Sequence, residues 1–236
     1  RRSELRDIVL AQSRFPKRQA LYLACSSSGM RIGEATSIRK SDLDFSCERI
    51  MVRIKAEYTK TKQARTTFLS KECGEKLKTY LNTLGDDDFV FINTHGRKPT
   101  MLEQNALRRA LVRLNLEQKY STNGVCKITT HSFRAYFFTA ATRRHGENYA
   151  HKLTGHGGYL MQYDRMTDEE KLKMYLELEP DLVVFDQSKN ELEIKRLKQE
   201  NESIEDLKAE VRKLREFQAK MDKEVLDNMR KDGIIP

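Results

Sequence analysis

No stretch of the sequence stays apolar for the ~20 residues that a bilayer-spanning helix needs, and no signal-peptide pattern opens it. The expected location is therefore the cytoplasm rather than a membrane. Cysteine is scarce: Cys25, Cys47, Cys73 and Cys126 are scattered without a C-x-x-C pair, so neither a zinc site nor a disulfide frame is expected. There is no H-E-x-x-H, no paired-aspartate box and no phosphate-binding P-loop. Asp86-Asp87-Asp88 resembles a magnesium site only superficially, because three adjacent residues do not converge on one ion; it reads as a solvated loop. No metal and no cofactor are expected. Apolar residues are also few, 38% against 33% charged, which is more polar than one compact globule normally is. With 236 residues there is room for one sizeable core and an appendage.

What is present in excess is positive charge, and it is not evenly spread. The formal charge is +9, yet residues 186–236 hold 12 Lys/Arg against 13 Asp/Glu. Residues 1–185 therefore hold 32 against 22, and the whole excess belongs to that part. A basic body of this kind favours a polyanionic partner, nucleic acid first. The opening Arg1-Arg2, without a methionine, suggests a fragment of a longer protein.

The apolar periodicity predicts a mainly α fold with a small antiparallel β-hairpin. Residues 3–13 read as a helix capped by Ser3, with Leu5, Ile8 and Val9 inward. Pro16 suits the first turn of a second helix, expected to give way at Ser26-Ser27-Ser28-Gly29, and a third spans 31–38. Strands are expected over 49–55 and 65–69, joined by a polar turn. Helical period returns over 70–84, and 89–92 is a short buried strand or extended piece. Residues 100–116 form a helix with Leu102, Ala106, Leu107, Ala110, Leu111 and Leu114 inward, and 120–126 a loop. Further helices are expected from Ser132, over 147–153 and over 168–178, the last broken by Pro180.

From Asp186 onward the character changes. Leu197, Ile204, Val211 and Val225 recur at sevens with Gln218 in the intervening slot, and Leu207, Leu214 and Met221 hold the companion positions. With Asn201 and Asn228 as interruptions, this reads as a long heptad helix over 186–232 that packs as a coiled coil.

The chemistry gathers at Thr130-His131-Ser132-Phe133-Arg134, where a helix start places His131 and Arg134 on one side of a first turn. A fixed guanidinium and an imidazole at a helix N-terminus suit a phosphate. On its own, His-x-x-Arg is a pattern that any basic protein throws up by chance. Three further blocks give it meaning: Ser27-Ser28-Gly29-Met30-Arg31-Ile32-Gly33-Glu34, Thr59-Lys60-Thr61-Lys62-Gln63-Ala64-Arg65, and Leu153-Thr154-Gly155-His156. In order, these blocks resemble the first arginine box, the lysine-bearing β-turn, the H-x-x-R box and the leucine-glycine-histidine box of tyrosine recombinases, and the chain is most similar to archaeal integrases of that superfamily. The likeness covers roughly residues 1–180, the catalytic domain, without the family's N-terminal core-binding domain.

The resemblance implies a site-specific DNA recombinase that cuts and rejoins DNA through a 3′-phosphotyrosyl intermediate, with neither metal nor ATP, and that assembles as a tetramer in synapsis. Metal-free cleavage needs a nucleophile, charge neutralisation at the phosphate and a proton for the departing oxygen. Arg31 and Arg134 would clamp the non-bridging oxygens, since a guanidinium fork suits phosphate. Lys60, with Lys62 as second choice, would protonate the leaving oxygen; His131 would act as base or hydrogen-bond partner, and His156 as a further donor. Tyr163 is the expected nucleophile, although it stands closer to His156 than in bacterial relatives, and Tyr159 and Tyr175 also follow that histidine. Glu34 would orient a neighbour by a salt bridge, or is simply a helix-surface carboxylate. Gly29 and Gly33 would let backbone approach closely, or Gly29 simply ends a helix. Expected DNA contacts are Lys62, Arg65, Arg108, Arg109 and Arg113, and the terminal helix offers a dimer handle. Two other readings share the scaffold: a catalytically silent DNA-binding protein, and a type IB topoisomerase or telomere resolvase.

Overall fold

The computed structural model describes residues 1–92, 99–155 and 166–231, with the side chains of 216, 219 and 222–231 excepted. It is mainly helical with a small antiparallel sheet, and it divides into two compact units, Arg1–Lys189 and Asn190–Pro236. No helix among the described residues is long and apolar enough to cross a membrane.

The first unit is built around α2 (Pro16–Ser28), in which every residue from Gln19 to Ser28 is buried. It follows α1 (Arg2–Leu10), which buries Leu5, Ile8 and Val9. Ser3 does not cap α1, because helical bonding already starts with Leu5 N–H donating to the Arg1 carbonyl. α2 keeps its helical form through the three serines and gives way at Gly29, the last residue of the expected stretch. Ser26 and Ser28 return their hydroxyls to the carbonyls of Leu23 (3.1 Å) and Ala24 (2.5 Å), so the buried serines are satisfied within the helix. The helix ends at Gly29 in the left-handed conformation (φ 68°). A Cβ there would lie 2.5 Å from the Phe137 ring and 2.7 Å from Thr154 Cγ2, so Gly29 both stops the helix and admits two other elements. Gly33 meets nothing closer than 4.0 Å and needs no such explanation.

The short α3 (Ile32–Ala35) follows Arg31 as its N-cap and stops before the expected Ile38. The sheet has the order β1-β2-β3, with β1 (Leu43–Asp44), β2 (Met51–Ile54) and β3 (Arg65–Phe68). The hairpin register pairs Met51 with Phe68 and Ile54 with Arg65. Alternation sends Val52 and Ile54 into the core around α2, and Met51 with Phe68 into a second cluster holding Phe137, Tyr149, Leu153, Tyr175 and Leu178. β1 escaped the sequence because two residues show no period.

α4 (Lys71–Lys78) is capped by Ser70, whose Oγ accepts from Cys73 N–H, and it ends earlier than expected, before a separate tight turn at Leu81–Thr83. Residues 89–92 are mostly buried but form no strand ladder: Phe89 makes an isolated bridge with Arg39, the chain bends at Val90 and Phe91, and Lys17 Nζ donates to the Ile92 carbonyl at 3.3 Å. α5 (Pro99–Arg113) buries Ala106, Leu107, Ala110 and Leu111, but Leu102 is 51% exposed. Glu103 turns inward beside it, because Arg18 grips its carboxylate with Nε at 2.6 Å and Nη2 at 3.0 Å.

α6 (Thr130–His145) packs against α2, α7 (Glu147–Thr154) and α8 (Asp168–Leu182). It begins two residues before Ser132, so Arg134 falls in its second turn, not its first. Pro180 sits inside α8 rather than ending it. It removes one donor near the helix end, while Val183 N–H still reaches the Glu179 carbonyl at 3.1 Å. Glu179 is fixed there by Arg49 (2.9 and 2.8 Å) and by Lys71 N–H (2.6 Å).

α9 (Asp186–Lys231) is one helix of 46 residues. Its described heptad side chains, Leu197, Ile204, Leu207, Val211, Leu214 and Met221, are 45–61% exposed.

Candidate active site

The left-handed turn at Gly29 delivers the chain into Arg31 with extended backbone, and α3 carries Glu34 one turn on. Glu34 bends back: its Oε2 accepts the Arg31 N–H at 2.7 Å and its Oε1 accepts Arg31 Nη1 at 2.9 Å. From the first position of β3, Arg65 reaches the same carboxylate with both ends of its fork, Nη1 at 3.2 Å and Nη2 at 2.6 Å. Its Nε donates to the Leu153 carbonyl at 2.9 Å, near the end of α7. Arg134, from α6, lies 3.9 Å from Glu34 Oε2 and donates to the carbonyls of Gly29 (2.5 Å) and Thr154 (2.6 Å). Three guanidiniums from three parts of the chain thus converge on one carboxylate.

The electrostatics of this spot are lopsided. Glu34 and Arg134 are each 1% exposed, and Arg31 is the member whose side chain reaches solvent. Burial pushes the Glu34 carboxyl up, but the hydrogen bonds and charge of Arg65, joined by those of Arg31, outweigh it and hold the group below the ordinary carboxylate value. Burial, and then the neighbouring charge of Arg31, lower Arg134 to about 10, with Glu34 pulling the other way. Arg134 therefore remains charged at neutral pH. One carboxylate against three guanidiniums leaves a local excess of positive charge, and Arg134 Nε is buried with no partner among the described residues. Chemically, the arrangement suits an oxyanion such as a phosphate.

The other sequence-singled residues fall as follows. His131, the second residue of α6, is exposed. Lys60 and Lys62 are exposed between β2 and β3, Lys62 with positive φ (55°). Arg65 differs from the surface DNA contact expected of it: its side chain is 8% exposed and committed to Glu34 and Leu153. Arg108, Arg109 and Arg113 are exposed on the outer side of α5, Arg108 in an ion pair with Glu117 at 3.3 Å. His156, Tyr159 and Tyr163 lie outside the described residues. Tyr175 is fully buried, donates to the Ser27 carbonyl at 2.8 Å, and burial raises its phenol well above the ordinary value, the opposite of what a nucleophile needs.

Two structural parts were hidden from sequence reasoning. The i,i+3 spacing of Arg31 and Glu34 hinted at their pairing, but nothing local signals Arg65 reaching back 31 residues. The carbonyls of Gly29, Leu153 and Thr154 carry no side-chain signature at all.

Residues 3–161 match the model of the phage integrase family. The chain belongs to that family. Among solved structures, the XerA recombinase is similar at 21% identity, covering 74% of this chain and 60% of that one with a TM-score of 0.52. The integrase from mycobacterium phage Brujita is similar at 18% identity, over 78% and 60%, with a TM-score of 0.54. A lambda integrase fragment, crystallised as a dimer bound to a COC′ core site, is similar at 20% identity, over 71% and 60%, with a TM-score of 0.50. At such identities the likeness is one of fold, and the chain spans about 60% of the length of each. A comparison with curated proteins gave no match. Within the phage integrase match lie Arg31, Glu34, Lys60, Arg65, His131, Arg134 and His156, while Tyr163 falls just past its end.

Proposed function

We propose that this phage integrase family member is a site-specific DNA recombinase whose residues 1–180 form the catalytic domain. The observation that carries the reading is the convergence of Arg31, Arg65 and Arg134 on Glu34, with more positive charge than the one carboxylate neutralises. A scissile phosphate is the natural counter-charge. Arg31 and Arg134 are its clamp, and Glu34 and Arg65 hold the clamp in shape. Lys60, on the hairpin anchored by Arg65, is the general acid for the leaving 5′ oxygen, with Lys62 as the alternative amine. His131 and His156 donate to the phosphate or take the phenol proton, and Tyr163 attacks the phosphorus. The phosphorus–oxygen bond to the 5′ side breaks as the phosphotyrosyl bond forms, so the bond energy is kept for rejoining to another 5′ hydroxyl. Lys62, Arg108, Arg109 and Arg113 contact the DNA outside the reacting phosphate, and synapsis of two duplexes takes a tetramer.

The test incubates the full chain with a pool of nicked duplexes of random sequence and looks for a protein–DNA species that survives SDS, whose DNA is then sequenced. Tyr163→Phe is expected to abolish that species and leave DNA binding intact. A Tyr163→Phe adduct of undiminished yield removes the tyrosine assignment. Binding without any adduct in the unaltered chain makes the protein a silent DNA-binding relative instead.

A further inference from the structure

The geometry of α9 points to an occupant for its exposed apolar stripe. We propose that it pairs, in parallel and in register, with α9 of a second copy to form a two-stranded coiled coil. This goes beyond the recombinase reading and does not depend on it.

The stripe is real surface: Leu197, Ile204 and Val211 in one column, and Leu207, Leu214 and Met221 in the other, are about half exposed or more. Columns spaced by seven keep to one face only if the helix supercoils with a partner. The side-chain shapes favour two parallel strands, with β-branched Ile204 and Val211 in the first column and Leu207 and Leu214 in the second. Gln218 interrupts the first column. Its amide both donates and accepts, so two copies satisfy each other when in register and bury an unpaired amide when slipped.

The charges beside the stripe decide the direction. In a parallel pair, Glu210 faces Arg215 of the second copy, an attraction made twice by symmetry. Every antiparallel alignment that keeps the central apolar layers together opposes like charges: Lys208 against Arg215, Lys208 against itself, or Arg215 against itself. Within one helix, Arg196–Glu200 (3.0 Å) and Lys208–Glu205 (2.9 Å) are the ordinary exposed pairs of a solvated face, so they leave the stripe itself uncovered.

The experiment measures the mass and dimer dissociation constant of the full chain by sedimentation, without DNA, for the unaltered protein and for variants on exposed positions of α9. The unaltered chain is expected to be a dimer at micromolar concentration, and Leu207→Asp with Leu214→Asp a folded monomer with an unchanged thermal transition for the rest of the chain. Glu210→Lys and Arg215→Glu are each expected to weaken the dimer by roughly fivefold, as two like-charge pairs replace two attractive ones. Combining the two swaps should restore it. A monomeric unaltered chain, a trimer or tetramer in its place, or a dimer indifferent to the double Asp change overturns the proposal. So does a dimer strengthened by Arg215→Glu, which is the signature of antiparallel pairing.

Discussion

Arg134 is the side chain whose circumstances are least ordinary. A guanidinium that is 1% exposed costs a large desolvation penalty unless its donors are answered, and here two backbone carbonyls and a nearby carboxylate answer most of them. Glu34 is the common partner of all three arginines, so the cluster depends on its charge more than on its shape. Glu34→Gln keeps the shape and removes the charge, leaving three guanidiniums to repel one another. The expected cost is about 3–5 kcal/mol, the range seen when one partner of a buried ion pair is lost, read as a lower urea midpoint. An unchanged midpoint in the Gln variant would mean that the carboxylate charge is not what holds the arginines together. Gly29 shows a different residue-scale constraint, since its left-handed backbone and its contacts with Phe137 and Thr154 leave no room for any Cβ.

Among the helices, α5 shows how a single ion pair can turn a face. Apolar spacing alone places Leu102 inside with Leu107, but the Arg18–Glu103 fork claims the inward position next to it. Leu107 is 2% exposed, and Leu107→Ala is expected to cost about 2–5 kcal/mol. Leu102→Ala should stay within about 0.5 kcal/mol of the unaltered chain, as exposed substitutions do. Urea unfolding of both variants checks this, and equal losses would return Leu102 to the core. In α8 a proline is carried inside the helix: Pro180 lies close to the end, where it removes one donor, and Val183 N–H still bonds the Glu179 carbonyl.

Over the whole first unit, one buried carboxylate ties stability to pH. Glu72 accepts the N–H groups of Val184 (2.9 Å) and Phe185 (3.3 Å), fastening the end of the unit to α4. Burial raises it to about 7 against the opposing pull of those N–H groups, with the charge of Glu179 adding to the rise. Between its ordinary value of 4.5 and about 7, the folded protein holds a proton that the unfolded chain has released. That contribution is full at the acid end of the window and is lost as pH rises through it. Glu34 has the opposite sign, since its lowered value contributes stability that disappears on acidification. Relative to the unaltered chain, Glu72→Gln is therefore expected to gain in urea midpoint on going from about pH 5 to about pH 8. A difference that stays constant across that range would show Glu72 to be ionised throughout.

The sequence by itself determined the helical character, the β2–β3 hairpin, the basic first part with its near-neutral heptad tail, and the order of the four blocks that resemble the recombinase boxes. These are legible because periodicity, turn residues and charge are local, and each is written within a turn or two of chain. Only the tertiary structure decided that Arg65 turns inward to Glu34, that Tyr175 is locked to the Ser27 carbonyl, that α2 runs on through its serines, and that Leu102 faces water. Each depends on a partner far along the chain or on a backbone carbonyl, and neither leaves a mark in the order of side chains. Arg31 and Arg134 stand far apart in sequence, and they share one carboxylate because Gly29 permits α2, α6 and α7 to meet at a point.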